Sequence, residues 1–268
     1  MASKSDNDTI PKRIFQTWKS KTHLPKNYTY WRGTFLDKNP FYHFDLWDDA
    51  DNRAFIAQHF EWFLHVYDSY PAEIYRADIV RYFYLYIFGG LYADLDTQCL
   101  KPLDTVLARN GVVLGRMGAK PDFAHSVPNA IMASSPREEF WLYVIGKAMV
   151  AAEKPSRPEE TTGPVLLKSA MDSYRGGHPP PTKVIGLLMH LLPAHLQPKP
   201  GPTTIHILPS EEWYPVVWAE KQSSDIRSRM FAGELLSMAE AEKLFPNSSL
   251  VTFWTYSWFV GPKRNGGS

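Results

Sequence analysis

The order of apolar and polar residues along the chain predicts strands that alternate with helices. Short runs that are apolar, or that alternate between apolar and polar residues, predict strands. These runs cover residues 13–18, 42–47, 91–96, 112–115, 129–133, 205–208, 213–218 and 250–254. Apolar residues at helical spacing, with capping residues before them, predict helices at residues 48–67, 72–88, 135–152, 162–175 and 184–192. This alternation favours an α/β fold with a largely parallel sheet.

Residues that interrupt or cap the regular elements set their predicted ends. Residues 19–41 carry two prolines and a glycine and are interpreted as a turn-rich link between the first two strands. Ser135 and Glu138 have the spacing of a capping box, which predicts that this segment opens the helix that follows.

The helix at residues 72–88 is the clearest element in the sequence. Pro71 suits a helix start and the pair Gly89–Gly90 provides a stop. The segment is apolar on most of its circumference, which is typical of a buried helix. Its charged residues are Glu73, Arg76, Asp78 and Arg81. A charged side chain in such a helix needs a partner or a ligand.

Two carboxylates lie at the end of the predicted strand that follows this helix. Asp94 and Asp96 are two residues apart, which on a strand places both side chains on one face. In α/β sheets, ligands bind at the carboxyl ends of strands. Hard oxygen ligands suit Mg²⁺ or Mn²⁺, and such a metal can neutralise a departing nucleoside diphosphate. The alternative is a strand end with two solvated acids.

Three further groups of residues allow a functional and a structural interpretation. Asp78 and Arg81 are helical neighbours that form either an intrahelical ion pair or a grip for sugar hydroxyls. Trp18, at the end of the first strand, either stacks on a nucleobase or packs in the core. Ser257 and Trp258 lie in an aromatic stretch for which core packing is the simpler interpretation.

Composition narrows the class of protein. The 268 residues suit one compact domain, and 44% of them are hydrophobic, so the chain is not a disordered one. The balance of 29 basic and 28 acidic residues argues against a nucleic-acid polymer as partner. One cysteine, Cys99, excludes an intramolecular disulfide and a cysteine-rich zinc site, and the histidines lack zinc-hydrolase spacing.

Three segments, read together, resemble the DXD-containing glycosyltransferases of family 32. They are residues 10–19, residues 75–82 and residues 89–96, which ends in Asp94-Leu95-Asp96. The family includes fungal initiating α-1,6-mannosyltransferases and mannosyltransferases that act on inositol phosphoceramide. The sugar-transferring domains of large clostridial toxins are more distant relatives. The resemblance is strong over residues 10–105 and consists of scattered matches beyond them.

The resemblance implies a GT-A fold, with a Rossmann-like mixed sheet flanked by helices in a single domain. That domain is expected over residues 1–262. Residues 10–105 would bind the nucleotide sugar and the metal, residues 106–262 would face the acceptor, and residues 263–268 form a polar tail. The family also implies Mn²⁺ or Mg²⁺, a nucleotide-sugar donor and retention of the anomeric configuration.

The family pattern assigns roles to individual residues of this chain. Asp96 resembles the direct metal ligand, and Asp94 the residue that touches the ribose and a metal-bound water. Asp78 and Arg81 match positions that hold the donor hexose, and Trp18 matches the base-stacking position. The remaining candidate donor-contacting residues are Gln16, Arg76, Tyr92 and Asn129.

The chain departs from the family near its carboxyl terminus. Many relatives carry two adjacent histidines there that help to close the metal site, and this chain has Thr252 and Phe253 instead. Ser257 or Trp258 is the candidate for the third protein ligand.

These features together predict a metal-dependent retaining hexosyltransferase. Its donor would be GDP-mannose or UDP-glucose, and its acceptor a hydroxyl of a small molecule, lipid or glycan. One alternative is an aspartate-nucleophile phosphatase, because Asp94, Asp96 and Thr97 fit its Asp-x-Asp-x-Thr motif. That motif normally lies on the first strand with an acidic pair downstream, whereas Asp48–Asp49 lies upstream here. A second alternative is a sugar-binding protein without turnover.

The sequence contains no segment with the features of a membrane anchor. Its polar first ten residues lack the apolar core of a signal peptide, and its longest apolar stretch is about ten residues, against about 20 for a membrane span. The chain is therefore expected in the cytoplasm if it is complete, and in the Golgi lumen if an amino-terminal anchor has been removed.

Overall fold

The computed structural model describes residues 9–120, 123–177, 182–217 and 220–255. Its strands are β1 (Arg13–Thr17), β2 (His43–Trp47), β3 (Gly90–Ala93), β4 (Thr97–Cys99), β5 (Val112–Gly115), β6 (Ile131–Ser134), β7 (Ile205–Leu208) and β8 (Leu250–Thr252). In these described ranges, six strands form one sheet in the order β2-β1-β3-β6-β5-β7, and β4 pairs with β8.

All strands of the six-stranded sheet except β6 run in the same direction. The pairs β2–β1, β1–β3 and β5–β7 are parallel, while β6 is antiparallel to both of its neighbours. The carboxyl ends of five strands and the amino end of β6 therefore meet at one edge of the sheet. The predicted fold class, a mixed sheet of Rossmann type flanked by helices, is confirmed.

Helices cover both faces of the sheet. They are α1 (Lys26–Lys38), α2 (Asp49–His59), α3 (Glu61–Ser69), α4 (Glu73–Phe88), α5 (Asp104–Leu107), α6 (Glu139–Ala152), α7 (Pro158–Thr161), α8 (Pro164–Arg175), α9 (Thr182–Leu191), α10 (Ser210–Trp213), α11 (Ser224–Phe231) and α12 (Met238–Leu244). Within the described ranges, no helix combines the length and the apolar character that crossing a bilayer requires.

Helix α4 lies in the core, as its apolar circumference predicts. Phe83 packs against Phe60 with ring centroids 4.4 Å apart, and Tyr82 stacks on Trp141 at 5.7 Å. The helix ends at Gly89, where φ is +64°, and a Cβ there would lie 2.7 Å from the carbonyl oxygen of Ser134. Glycine is therefore required for the turn that sends the chain directly from α4 into the central strand β3.

Two helical predictions need correction. The link at residues 19–41 contains helix α1, in which Tyr28, Trp31 and Phe35 are buried on one side. The single helix predicted at residues 48–67 is two helices, because the chain breaks at Phe60, where α2 ends and α3 begins.

The predicted capping box at Ser135 and Glu138 is also wrong. The N-cap of α6 is Glu138, and no side chain caps this helix. The hydroxyl of Ser135 instead accepts a hydrogen bond from the backbone N–H of Gly111, at 3.1 Å. The Ser135 hydroxyl is therefore bonded to the residue just before β5 and does not cap α6.

Two strand predictions differ from the structure. β3 ends at Ala93, so Asp94 and Asp96 lie in the tight turn between β3 and β4 rather than on one face of a strand. The run at residues 213–218 is not a strand where it is described, up to Val217. Trp213 ends α10, and the segment after it is held by side chains, for example the Ser223 hydroxyl that accepts the N–H of Val217.

Candidate functional site

The predicted site residues come together at the edge of the sheet where five strands end. Trp18 follows β1 and Asp94 follows β3. Asn129 lies two residues before β6, which runs the opposite way and so begins at this edge. Helix α4 brings Asp78 and Arg81 to the same place. This is the edge at which α/β sheets bind ligands.

Asp78 and Arg81 form a buried ion pair. Their side chains are 8% and 5% exposed, and Nη2 of Arg81 lies 3.0 Å from Oδ1 of Asp78. The same carboxylate oxygen accepts a hydrogen bond from Nδ2 of Asn129, at 3.0 Å. Burial raises the pKa of Asp78 to about 6, because lost hydration outweighs the favourable contacts with Arg81 and Asn129. The two residues therefore form the predicted intrahelical ion pair, and such a pair also offers acceptors and donors to sugar hydroxyls.

Arg81 joins this pair to the turn that follows β3. Its Nη1 donates to the carbonyl oxygen of Asn129 at 2.7 Å and lies 3.3 Å from Oδ1 of Asp94. Its guanidinium also lies over the ring of Tyr92, 4.4 Å from the centroid. Burial opposes its charge, but Tyr92, Asp94 and Asp78 outweigh burial and raise the pKa of Arg81. The guanidinium is thus a fixed positive charge between two carboxylates.

The two acids of the turn differ in their surroundings. Asp94 has a side chain that is 34% exposed and accepts the hydroxyl of Tyr92 at 2.5 Å. Asp96 is held at Oδ2 by the N–H and hydroxyl of Thr255, at 2.7 and 3.0 Å, and at Oδ1 by the hydroxyl of Thr252, at 3.3 Å. Burial, and then the charge of Asp94, raise the pKa of Asp96 to about 6.

The donor set at this turn fits a hard divalent cation. Asp94 and Asp96 offer carboxylate oxygens, and the mutual repulsion of their charges would be relieved by a cation between them. No group of three or more His, Cys, Asp and Glu side chains placed for a metal occurs in the described part of the chain. Among the described residues, Asp94 and Asp96 are therefore the acids placed for such a cation.

The end of β1 provides polar groups without partners. Trp18 packs against Tyr28 with ring centroids 4.6 Å apart. Gln16 is fully buried and accepts a hydrogen bond from Arg32 at 2.9 Å. Nε1 of Trp18 and Nε2 of Gln16 have no hydrogen-bond partner among the described residues. Two buried donors are thus left unsatisfied beside the ligand edge.

Not all predicted residues join this cluster. Arg76 donates to both carboxylate oxygens of Glu73, at 2.9 and 2.6 Å, and to the carbonyl oxygen of Tyr70. These described contacts hold it at the start of α4, apart from the Asp78–Arg81 pair. Ser257 and Trp258 lie outside the described residues.

The structure adds residues that sequence reasoning missed. The hydroxyl of Tyr82 accepts from Nδ2 of Asn129 at 3.2 Å and donates to the carbonyl oxygen of Thr162 at 2.9 Å. Tyr82 follows Arg81 directly in a helix whose polar groups need partners. That position could have indicated that its hydroxyl belongs to the cluster. Thr255 carried no signal, whereas Thr252 lay in a stretch that the family pattern had singled out.

A family match covers the part of the chain that carries this cluster. Residues 11–113 match the sequence model of the family described as "Glycosyltransferase sugar-binding region containing DXD motif". This part of the chain therefore carries the sequence pattern of that family. The DXD motif is Asp94-Leu95-Asp96, so the match confirms the resemblance that the motifs had indicated.

The DXD region also relates the chain to curated mannosyltransferases. Inositol phosphoceramide mannosyltransferase 2 of Schizosaccharomyces pombe is 33% identical over 181 residues, which are 66% of this chain and 50% of that protein. Initiation-specific alpha-1,6-mannosyltransferase of Candida albicans is 34% identical over 115 residues, which are 41% and 30% of the two chains. The chain thus spans about half, or less, of the length of these relatives.

A solved structure supports the fold. The protein titled PaToxG Glycosyltransferase matches with a TM-score of 0.52 and 17% identity, over 91% of this chain and 90% of that one. At this identity the match shows a shared fold.

Proposed function

We propose that this chain is a metal-dependent retaining glycosyltransferase that moves mannose from GDP-mannose to an acceptor hydroxyl. The observation that carries the proposal is that Arg81 lies between the buried Asp78 and the turn acid Asp94 at the ligand edge of the sheet. The DXD family match and the names of the relatives support sugar transfer, and those names favour mannose over glucose.

The acids of the DXD turn would hold the metal. Asp94 and Asp96 would bind Mn²⁺ or Mg²⁺, which when bound supplies positive charge to the donor diphosphate. Arg81 adds a permanent positive charge beside them, where negative charge develops as the donor bond breaks. The ring of Tyr92 packs against this guanidinium, and the Tyr92 hydroxyl donates a hydrogen bond to Asp94.

The hexose would be oriented by the buried pair. Asp78 accepts hydrogen bonds from sugar hydroxyls, while Asn129 and Arg81 fix its carboxylate. The acceptor hydroxyl attacks on the side of the leaving group, and an oxygen of the departing diphosphate takes its proton. The chain then needs no general base, and we assign none. Trp18 and Gln16 would meet the nucleobase, one by stacking and one by hydrogen bonding.

The name of one relative supports a proposal for the acceptor class. One of the two relatives described above is called an inositol phosphoceramide mannosyltransferase, so we propose a hydroxyl of a polyol carried by a lipid or a glycan as the acceptor. 

The phosphatase alternative needs a second acidic pair, for which the sequence offers Asp48–Asp49. Asp48 caps α2 by accepting the N–H of Asp51 at 3.0 Å, and the Asp51 side chain accepts the N–H of Asp48 in return. Asp48 is therefore used in the helix cap, and the upstream acid pair does not supply what that mechanism needs.

A donor panel tests the proposal. The purified chain is incubated with Mn²⁺ and, separately, GDP-mannose, UDP-glucose, UDP-galactose and UDP-GlcNAc, and release of the nucleoside diphosphate is measured. The proposal expects release from GDP-mannose above the other donors. Faster release from UDP-glucose would replace mannose by glucose, and no release from any donor would overturn the transferase.

A further inference from the structure

A second charged depression lies at the same edge of the sheet as the DXD turn. It is an open groove of about 670 Å³, within the usual size of small-molecule sites, about 300–1,000 Å³. Its walls come from the segments that follow β5 and β7, including Arg116 and Pro209. β5 and β3 are separated by β6 alone, so the groove begins roughly 10 Å from the end of β3, at about 4.8 Å per strand spacing.

Three charged side chains line the groove, namely Arg116, Glu211 and Glu220. Arg116 is half-buried, and its guanidinium forms no hydrogen bond or ion pair in the described part of the chain. The carboxylates of Glu211 and Glu220 line the same groove, and neither forms an ion pair with Arg116 there. A guanidinium and two carboxylates on one surface supply both donors and acceptors.

This combination favours a neutral polyhydroxylated ring over an anion. The three side chains sum to one negative charge, which disfavours a phosphate group. Vicinal hydroxyls, in contrast, can donate to a carboxylate and accept from a guanidinium at once.

One short segment of the chain, Trp254 and Thr255, contacts both the groove wall and the DXD turn. Trp254 donates from Nε1 to the carbonyl oxygen of Val216 at 2.6 Å and stacks on Tyr214. It therefore holds the segment from which Pro215 and Val217 line the groove. The next residue, Thr255, makes the two hydrogen bonds to Asp96. The groove wall and the second acid of the DXD motif are thus positioned by adjacent residues of one segment.

We infer that this groove is the acceptor subsite and binds the polyhydroxylated ring whose hydroxyl receives the sugar. Arg116, Glu211 and Glu220 grip this ring, while the Asp78–Arg81 pair holds the donor hexose. The inference rests on the proposed function, because it assigns the second substrate of the same reaction. The ring is either a hexose or a cyclitol such as inositol, since both present the same vicinal hydroxyls.

The test separates transfer to a ring from hydrolysis of the donor. Wild type and variants are given the donor with Mn²⁺, alone or with methyl α-mannopyranoside or myo-inositol, and both products are measured. Arg116→Gln should raise the KM for the accepted ring by about tenfold or more, since it removes a charged donor. Its hydrolysis of the donor without acceptor should stay at the wild-type rate.

Two further variants make the result specific. Ala119 is exposed and lines the groove, so Ala119→Trp should block transfer by filling the space while the fold and donor hydrolysis remain. Arg109→Gln is the matched control, because Arg109 lies before β5, at the opposite edge of the sheet, and donates to the carbonyl oxygen of Thr105 in helix α5. It should transfer like the wild type.

Each outcome decides one claim. Wild-type transfer in both Arg116→Gln and Ala119→Trp would overturn the acceptor subsite while leaving the transferase intact. A wild type that hydrolyses the donor but transfers to neither ring would overturn the ring chemistry. A wild type that neither hydrolyses nor transfers would overturn the proposed function and, with it, this inference.

Discussion

Thr255 donates two hydrogen bonds to one oxygen of Asp96, from its backbone N–H at 2.7 Å and from its hydroxyl at 3.0 Å. The two residues are 159 positions apart, so the carboxyl-terminal part of the chain fixes the orientation of an acid in the DXD turn. The side chain that holds a metal ligand tunes the site even though it does not touch the metal. Thr255 is therefore a positioning residue of the proposed metal site.

Removal of the Thr255 hydroxyl should weaken metal binding. Thr255→Val keeps the backbone donor and the shape of the side chain, and we expect about tenfold weaker binding of Mn²⁺ in the presence of nucleoside diphosphate. Calorimetric titration measures this affinity. Thr255→Ser restores the hydroxyl and should recover most of it. Wild-type affinity in Thr255→Val would show that the hydroxyl does not position Asp96.

Asp78→Asn should separate sugar contacts from nucleotide contacts. The amide retains one oxygen for Asn129 or Arg81, and Arg81 still has Asp94 beside it, so the fold should persist. The lost carboxylate oxygen should lower transfer by orders of magnitude, while nucleoside diphosphate binding with Mn²⁺ stays near wild type. Thermal melting, nucleotide titration and a product assay measure the three quantities.

Glu73→Gln is the control for Asp78→Asn, because Glu73 lies on the same helix but is exposed and paired with Arg76. It should leave transfer unchanged. Full transfer by a well-folded Asp78→Asn protein would return the buried pair to a purely structural role.

Trp18→Ala should weaken donor binding through lost stacking, which contributes roughly 1–3 kcal/mol per base. The ring also packs against Tyr28, so the melting temperature should fall as well. Trp18→Phe keeps an aromatic face and should retain much of the affinity. Donor KM and thermal melting are measured together, and an unchanged KM in Trp18→Ala would remove this residue from the donor site.

Asp96 should give the metal-free protein a specific pH dependence. Its folded pKa of about 6 lies above its ordinary value of 3.8, because burial disfavours the charged form. The folded chain therefore binds this proton more tightly than the unfolded chain. The carboxylate costs stability above pH 6, and this cost is lost as the pH falls through 6 toward 3.8.

The Asp96→Asn variant isolates this effect. In EDTA at pH 7.5 its free energy of unfolding should exceed that of the wild type by about 1–3 kcal/mol, and the difference should shrink as the pH falls toward 5. Mn²⁺ should stabilise the wild type and not the variant. Denaturant unfolding at several pH values measures this, and a difference that does not change with pH would contradict the assignment.

Local signals in the sequence predicted the end of helix α4 and drew attention to two buried charged residues on it. The glycine pair at residues 89 and 90 marked the end of α4, and charged residues in an apolar helix marked Asp78 and Arg81. Helix α1 was missed because two prolines and a glycine in residues 19–41 indicated turns, although Tyr28, Trp31 and Phe35 have helical spacing. The spacing was the better guide.

Contacts between distant parts of the chain could not be predicted. The hydroxyls of Thr252 and Thr255 reach Asp96 because β8 pairs with β4, and no pattern near these threonines indicates that pairing. Arg76 shows the opposite limit. It was a candidate donor-contacting residue, but Glu73 lies three residues before it on the same helix face and pairs with its guanidinium.

The most direct test of a DXD-dependent sugar transfer is the release of nucleoside diphosphate by the wild type and by Asp96→Ala, each with Mn²⁺ and with EDTA. The account predicts release by the wild type with Mn²⁺, loss in EDTA and recovery when Mn²⁺ is returned. Asp96→Ala should melt as a folded protein and release nothing above background. Wild-type turnover by Asp96→Ala in EDTA would contradict the account.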